Sequence, residues 1–170
     1  MNVTYVVAVV VGAFACFTDL RSRRIPNALT FGAAAAGLLY HIVNGGWQGL
    51  VTAGSGWAVG VVAFLIPFAL GGLGAGDVKL LAAIGAWLGP SETAWVALYT
   101  GIAGGVLAIV VAAMHGYLKQ ALSNVRLLLS HWSVMGVRPL HEVSLEGGTG
   151  PRLAYAVPIF VGMLVTLWLH

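Results

Sequence analysis

Apolar runs alternate with short polar breaks along the whole chain. The runs cover residues 3–18, 28–43, 50–70, 77–89, 93–117 and 153–169. A helix needs about 20 apolar residues to cross a ~30 Å hydrocarbon core at 1.5 Å per residue. The pattern predicts an all-α polytopic membrane protein: one domain over residues 1–170, with about six transmembrane helices. Two of the runs are short. Residues 3–18 reach only ~24 Å, which leaves Asp19 at the membrane boundary or slightly inside it. Residues 78–88 make roughly 17 Å of helix, so Asp77 also lies in or near the membrane.

The breaks carry recognisable signals. Pro26 and Asn27 restart a helix after the first run, with proline suited to a first turn. Asn44-Gly45-Gly46-Trp47 reads as a turn, and Gly89-Pro90-Ser91-Glu92 as another with Ser91 capping the next helix. Pro67 is expected to kink the third run and Pro158 to break the sixth. Small residues suit close packing: Gly32-Ala33-Ala34-Ala35-Ala36-Gly37 gives a small-residue face, Gly56 and Gly60 a small-xxx-small pair, and Gly101 and Gly105 lie one turn apart. Residues 119–152 form the longest polar stretch, and 118–129 read as an amphipathic helix at its start. Ala13-Phe14-Ala15 mimics a signal-peptide cleavage site, but no Lys or Arg precedes the run, so it is read as a span.

Composition agrees. The chain is 59% hydrophobic and 8% charged, against about 25% charged in soluble domains. A net charge of +3 gives no reason to expect nucleic acid. The single cysteine, Cys16, excludes an internal disulfide and a CxxC metal site and is assigned to packing; the five histidines show no H-E-x-x-H spacing. No metal or cofactor is expected, and the lipid bilayer is the first partner.

Charge also orients the chain. With the N-terminus outside, the cytoplasmic loops are 19–27, 71–79 and 118–152, and all eight Lys and Arg residues fall on them. This threading places Asp19 and Asp77 on the same side at similar depth. Two acids in a low-dielectric site tend to share a proton, so one can activate water while the other protonates a carbonyl. Asp19 near a helix C-terminus and Asp77 at a helix N-terminus feel opposite dipoles, which nominates Asp77 as the base. Plainer readings stand beside this one. Asp19 before Arg21, Arg23 and Arg24 also fits a solvated juxtamembrane loop, and Asp77 with Lys79 an interfacial ion pair. A proton- or cation-coupled transporter would use the acids as a relay, but needs others at mid-membrane depth. A non-catalytic assembly scaffold, with helix faces built for packing, would tolerate Asn at both positions.

Asp19-Leu20-Arg21-Ser22-Arg23-Arg24-Ile25-Pro26-Asn27 is similar to the D-x-[KR]-x-x-x-I-P-N signature of type IV prepilin peptidases. Gly74-Ala75-Gly76-Asp77-Val78-Lys79 resembles that family's G-x-G-D-x-K motif, and the stretch from Leu153 to Gly162 its late P-Y-x-x-x-I-x-x-G element, with Ala154 where proline is common. The resemblance implies a GxGD-type intramembrane aspartyl protease in the cytoplasmic (inner) membrane. It would cut the leader from a prepilin at the cytoplasmic face, with Asp19 and Asp77 catalytic. Gly74 and Gly76 would shape a loop that admits extended substrate, with Lys79 a neighbouring charge. A single cysteine makes the chain look like the short Tad/Flp or archaeal form, in which methyl transfer is not expected. Oligomeric state is not legible.

Overall fold

The computed structural model describes residues 2–116, 118, 119, 123, 126 and 154–170. The expected loop over residues 118–152, with His131 and His141, lies almost wholly outside them. The described elements are helices: α1 (Val3–Ser22), α2 (Asn27–Ala69), α3 (Ala75–Leu88), α4 (Pro90–Met114) and α5 (Ala156–Leu169). Three of them, α1, α2 and α4, are long and apolar enough to cross a membrane, and α5 is a shorter apolar helix. The chain is a helical membrane protein.

α2 is 43 residues long, or ~65 Å if straight, about twice a bilayer core. It is not straight. Gly46 adopts φ 54°, ψ −133° inside it, a conformation open to glycine and costly for other residues. The chain doubles back there, and the His41 backbone comes so near Gly49 that a Cβ would collide with it. Further on, helical structure continues past Pro67 to Ala69, so the helix does not stop at that proline. Gly71 at φ 76° then closes α2. Its N–H donates to Phe68 O and that of Gly72 to Pro67 O, both at 2.9 Å, the paired bonds of a Schellman end.

The two halves of α2 grip α3 from opposite sides. From Leu80 to Trp87 every residue of α3 is buried, as expected of a helix that is apolar all round. The first half runs parallel to it: Asn27 meets Lys79, and Trp87 Nε1 donates to Ala33 O at 2.8 Å. The second half runs antiparallel. Gly60 lies against Ala82, and Gly56 and Gly85 meet backbone to backbone, so closely that a Cβ on either would strike the other's carbonyl. α5 runs antiparallel to both α1 and α4, with Gly12 beside Phe160 and Met163, Gly104 beside Tyr155, and Gly162 beside Thr100. The helical runs among the described residues therefore alternate in direction. The end of α1, the starts of α3 and α5 and both ends of α2 meet at one end of the bundle.

Several boundaries differ from the sequence reading. α1 continues beyond residue 18 to Ser22, because no glycine or proline intervenes and Arg21 complements its negative end. Arg23 then closes it in the left-handed region, at φ 54°. α3 starts at Ala75, so Gly76, Asp77 and Lys79 are helical rather than part of a 71–79 loop. Ser91 does not cap α4. Gly89, at φ 85°, makes the turn, and Pro90 takes the first helical position, where its missing N–H costs nothing. Pro158 lies in the first turn of α5 and does not break it. Of the small-residue sites on α4, Gly101 and Gly105 face open space and Gly104 is the packed one.

Lipid tails are as apolar as leucine, so close packing rather than apolar burial holds such helices together. Gly85→Val is therefore expected to cost at least ~1–3 kcal/mol by overpacking, read as a lower thermal-unfolding midpoint in detergent. Gly54→Ala, which meets nothing within 4 Å, is expected to stay within ~0.5 kcal/mol of wild type.

Candidate active site

Asp77 is the third residue of α3, three positions after the extended N-cap Gly74 at φ −84°, ψ 152°. The first N–H groups of a helix have no intrahelical partner. Here the Asp77 carboxylate takes one of these spare donors: Gly74 N–H donates to Asp77 Oδ2 at 3.0 Å. Asp77 is 8% exposed. A Cβ on Gly74 would stand 3.2 Å from that same oxygen, so glycine leaves the carboxylate room to approach the chain.

Asp19 lies in the last turn of α1 and is also 8% exposed. Its carboxylate meets the start of α5, where Ala156 N–H donates to Asp19 Oδ2 at 3.2 Å. One turn back, Cys16 Sγ donates to Ala156 O at 3.1 Å. Asp19 thus supplies to α5 what Asp77 supplies to α3, an anion at the helix N-terminus. This corrects the division of labour expected from dipoles. Asp19 does sit at the negative end of α1, but the positive end of α5 is bonded to it. Both acids face a helix N-terminus, so the dipoles do not single out Asp77 as the base.

The structure brings together at one bundle end the two acids that the sequence places 57 residues apart along the chain, counting the residues between them. The other residues expected at the site are placed as follows. Gly74 touches the Asp77 carboxylate. Gly76 faces Ile25, where a Cβ would make ordinary contact at 3.4 Å. Lys79 Nζ donates to Asn27 Oδ1 at 3.0 Å and sits 5.3 Å above the Phe31 ring. Lys79 therefore ties α3 to the start of α2, and Gly76 packs on the link just before it.

Tyr155 escaped the sequence reading as a site residue. It stands at the N-cap of α5, beside the N–H that holds Asp19. Its ring packs edge-on against Phe64 at 6.2 Å, and its hydroxyl lies over Gly104. Within the late motif its sequence signal was visible, but nothing local marked it as a neighbour of the acids. Among the described residues no group of three or more His, Cys, Asp or Glu could hold a metal.

The type IV leader peptidase family model matches residues 6–109, a stretch that holds Asp19, Gly74, Gly76, Asp77 and Lys79. The proteins named prepilin leader peptidase/N-methyltransferase in Aeromonas salmonicida and Aeromonas hydrophila are 35% identical to the chain over 100 residues. Those residues are 55% of this chain and 34% of each relative, so the similarity spans about a third of their length. No solved structure matches the chain. With both acids inside the matched stretch, and that stretch covering more than half of the sequence, the protein belongs to the type IV leader peptidase family.

Proposed function

We propose that the protein is an aspartyl endopeptidase that removes the N-terminal leader from type IV or Flp-like prepilins at the cytoplasmic face of the inner membrane. One observation carries the proposal. Two buried aspartates from different helices lie at the same end of an apolar bundle, each bonded to a helix N-terminus. In the proposed reaction one carboxylate takes a proton from water, and the resulting oxygen attacks the scissile carbonyl carbon. The other, protonated, aspartate gives its proton to the carbonyl oxygen. Collapse of the tetrahedral intermediate breaks the C–N bond, and the departing amine takes up a proton.

The alternating direction of the helical runs among the described residues fits the six-span threading, and the basic residues favour the N-terminus outside. In that threading the acids lie on the side of the basic loops. A prepilin with its apolar helix in the bilayer and its leader in the cytoplasm would bring the scissile bond to the same depth. Gly74 is proposed to serve the site through Asp77, whereas Lys79 secures the α2–α3 seam and Gly76 packs on the link before α2. The proposal is limited to peptide cleavage, without the methyl transfer named for the relatives. The transporter alternative is less well supported. The one other acid among the described residues, Glu92, sits in the first turn of α4, at the opposite end of the bundle.

The test is co-expression with the pilin precursor of the same genome, followed by mass spectrometry of the pilin. Wild type is expected to remove the leader. Asp19→Asn and Asp77→Asn, each checked for membrane insertion, are expected to slow cleavage by about 10²–10⁴-fold. Unimpaired cleavage by both variants would end the aspartyl mechanism. The mass of the mature pilin also reads directly whether a methyl group is added.

The two motif glycines should separate. Gly74→Ala crowds Asp77 Oδ2 and is expected to lower the cleavage rate roughly tenfold or more. Gly76→Ala, which has room beside Ile25, is expected to stay within about threefold. The reverse ranking would return the role in catalysis to Gly76.

A further inference from the structure

Resting on the peptidase reading, we propose that Tyr155 is a positioning residue for the aspartate pair. Lodged between Phe64 of α2 and Gly104 of α4, it seats the first turn of α5 so that Ala156 N–H meets Asp19. Three observations converge on it. Its ring is edge-on to Phe64 at 6.2 Å. A Cβ on Gly104 would stand 2.5 Å from its hydroxyl oxygen and 2.9 Å from Cζ, so the notch exists only because residue 104 is glycine. The next residue, Ala156, is fully buried and bonded through its N–H to Asp19 Oδ2 and through its carbonyl to Cys16 Sγ. One side chain thereby ties α2 and α4 to the two helices that carry Asp19 and its hydrogen-bond donor. It also lies outside the stretch that the family model matches.

The ring acts through the backbone it anchors. If it leaves the notch, the start of α5 shifts and the N–H moves off Asp19. Misplacement of a catalytic group by about 1 Å can cost on the order of 10²-fold in rate. Substrate binding should change little, because the effect falls on the geometry of the acids.

Gly104→Ala is the sharpest test, with Gly105→Ala as its control, since residue 105 faces open space on the same helix. Two readouts are needed. The first does not involve cleavage. Cys16 is the only cysteine in the chain and is half-buried against Ala156 O, so its alkylation by N-ethylmaleimide in native membranes reports the seating of α5. Gly104→Ala is expected to speed this labelling by about fivefold or more, as local opening rises. Gly105→Ala should label at the wild-type rate. The second readout is leader cleavage. Gly104→Ala is expected to lower kcat by about 10–100-fold with KM within about threefold. The double variant Gly104→Ala/Tyr155→Phe removes the oxygen nearest the added methyl and is expected to restore part of both losses.

Equal labelling of Gly104→Ala and Gly105→Ala would overturn the proposal, whatever happens to cleavage. Faster labelling with unchanged kcat would reduce Tyr155 to a packing residue and overturn its positioning role. A loss carried by KM alone, or no recovery in the double variant, would do the same. Failure of wild type to cut any leader would instead overturn the peptidase reading, and the labelling comparison would still decide whether Tyr155 seats α5 on α1.

Discussion

Everything in this bundle is arranged around a helix too short to anchor itself. α3 has only 14 residues, and its apolar stretch is buried on all sides. In lipid the hydrophobic effect does not press such a helix against its neighbours, so contact distance has to do that. The backbone meeting of Gly56 and Gly85 sets how close the second half of α2 can come. The bend at Gly46 lets the first half close over the other side. Asp77 is then fixed in space by the helix it begins.

The same constraint explains the placement of polar groups. A carboxylate in an apolar bundle must find donors, and helix N-termini are where spare donors are found. Asp77 takes its donor from its own helix cap, whereas Asp19 takes one from α5, far along the chain. The two acids therefore approach from different helices, and each accepts a hydrogen bond from a backbone N–H at a helix start.

Much of this was legible in the sequence. Helix class and the low charge followed from the apolar runs, and both acids stood out because carboxylates at span ends are costly. Boundaries were harder. The reach of α1 to Ser22 depends on the absence of a breaker, which hydropathy does not register. Proline placement at Pro90 and Pro158 was misjudged because a proline in a first turn and one in a helix interior look alike until the N-terminus is fixed. Glycine spacing suggested Gly101 and Gly105, but which glycine is packed depends on the partner, and Tyr155 selects Gly104. The hydrogen bond from Ala156 to Asp19 joins positions 137 apart and involves a backbone group that carries no residue-specific signature.

The donor held by Asp19 belongs to the last described helix, while the acid itself belongs to the first. A ribosome makes Asp19 early and Ala156 late. Until α5 has been translated and inserted, Asp19 lacks this partner, and the notch at Gly104 waits for its ring. Because the partners lie 137 positions apart, this hydrogen bond belongs to the last stage of the chain's synthesis and not to the insertion of its first helix.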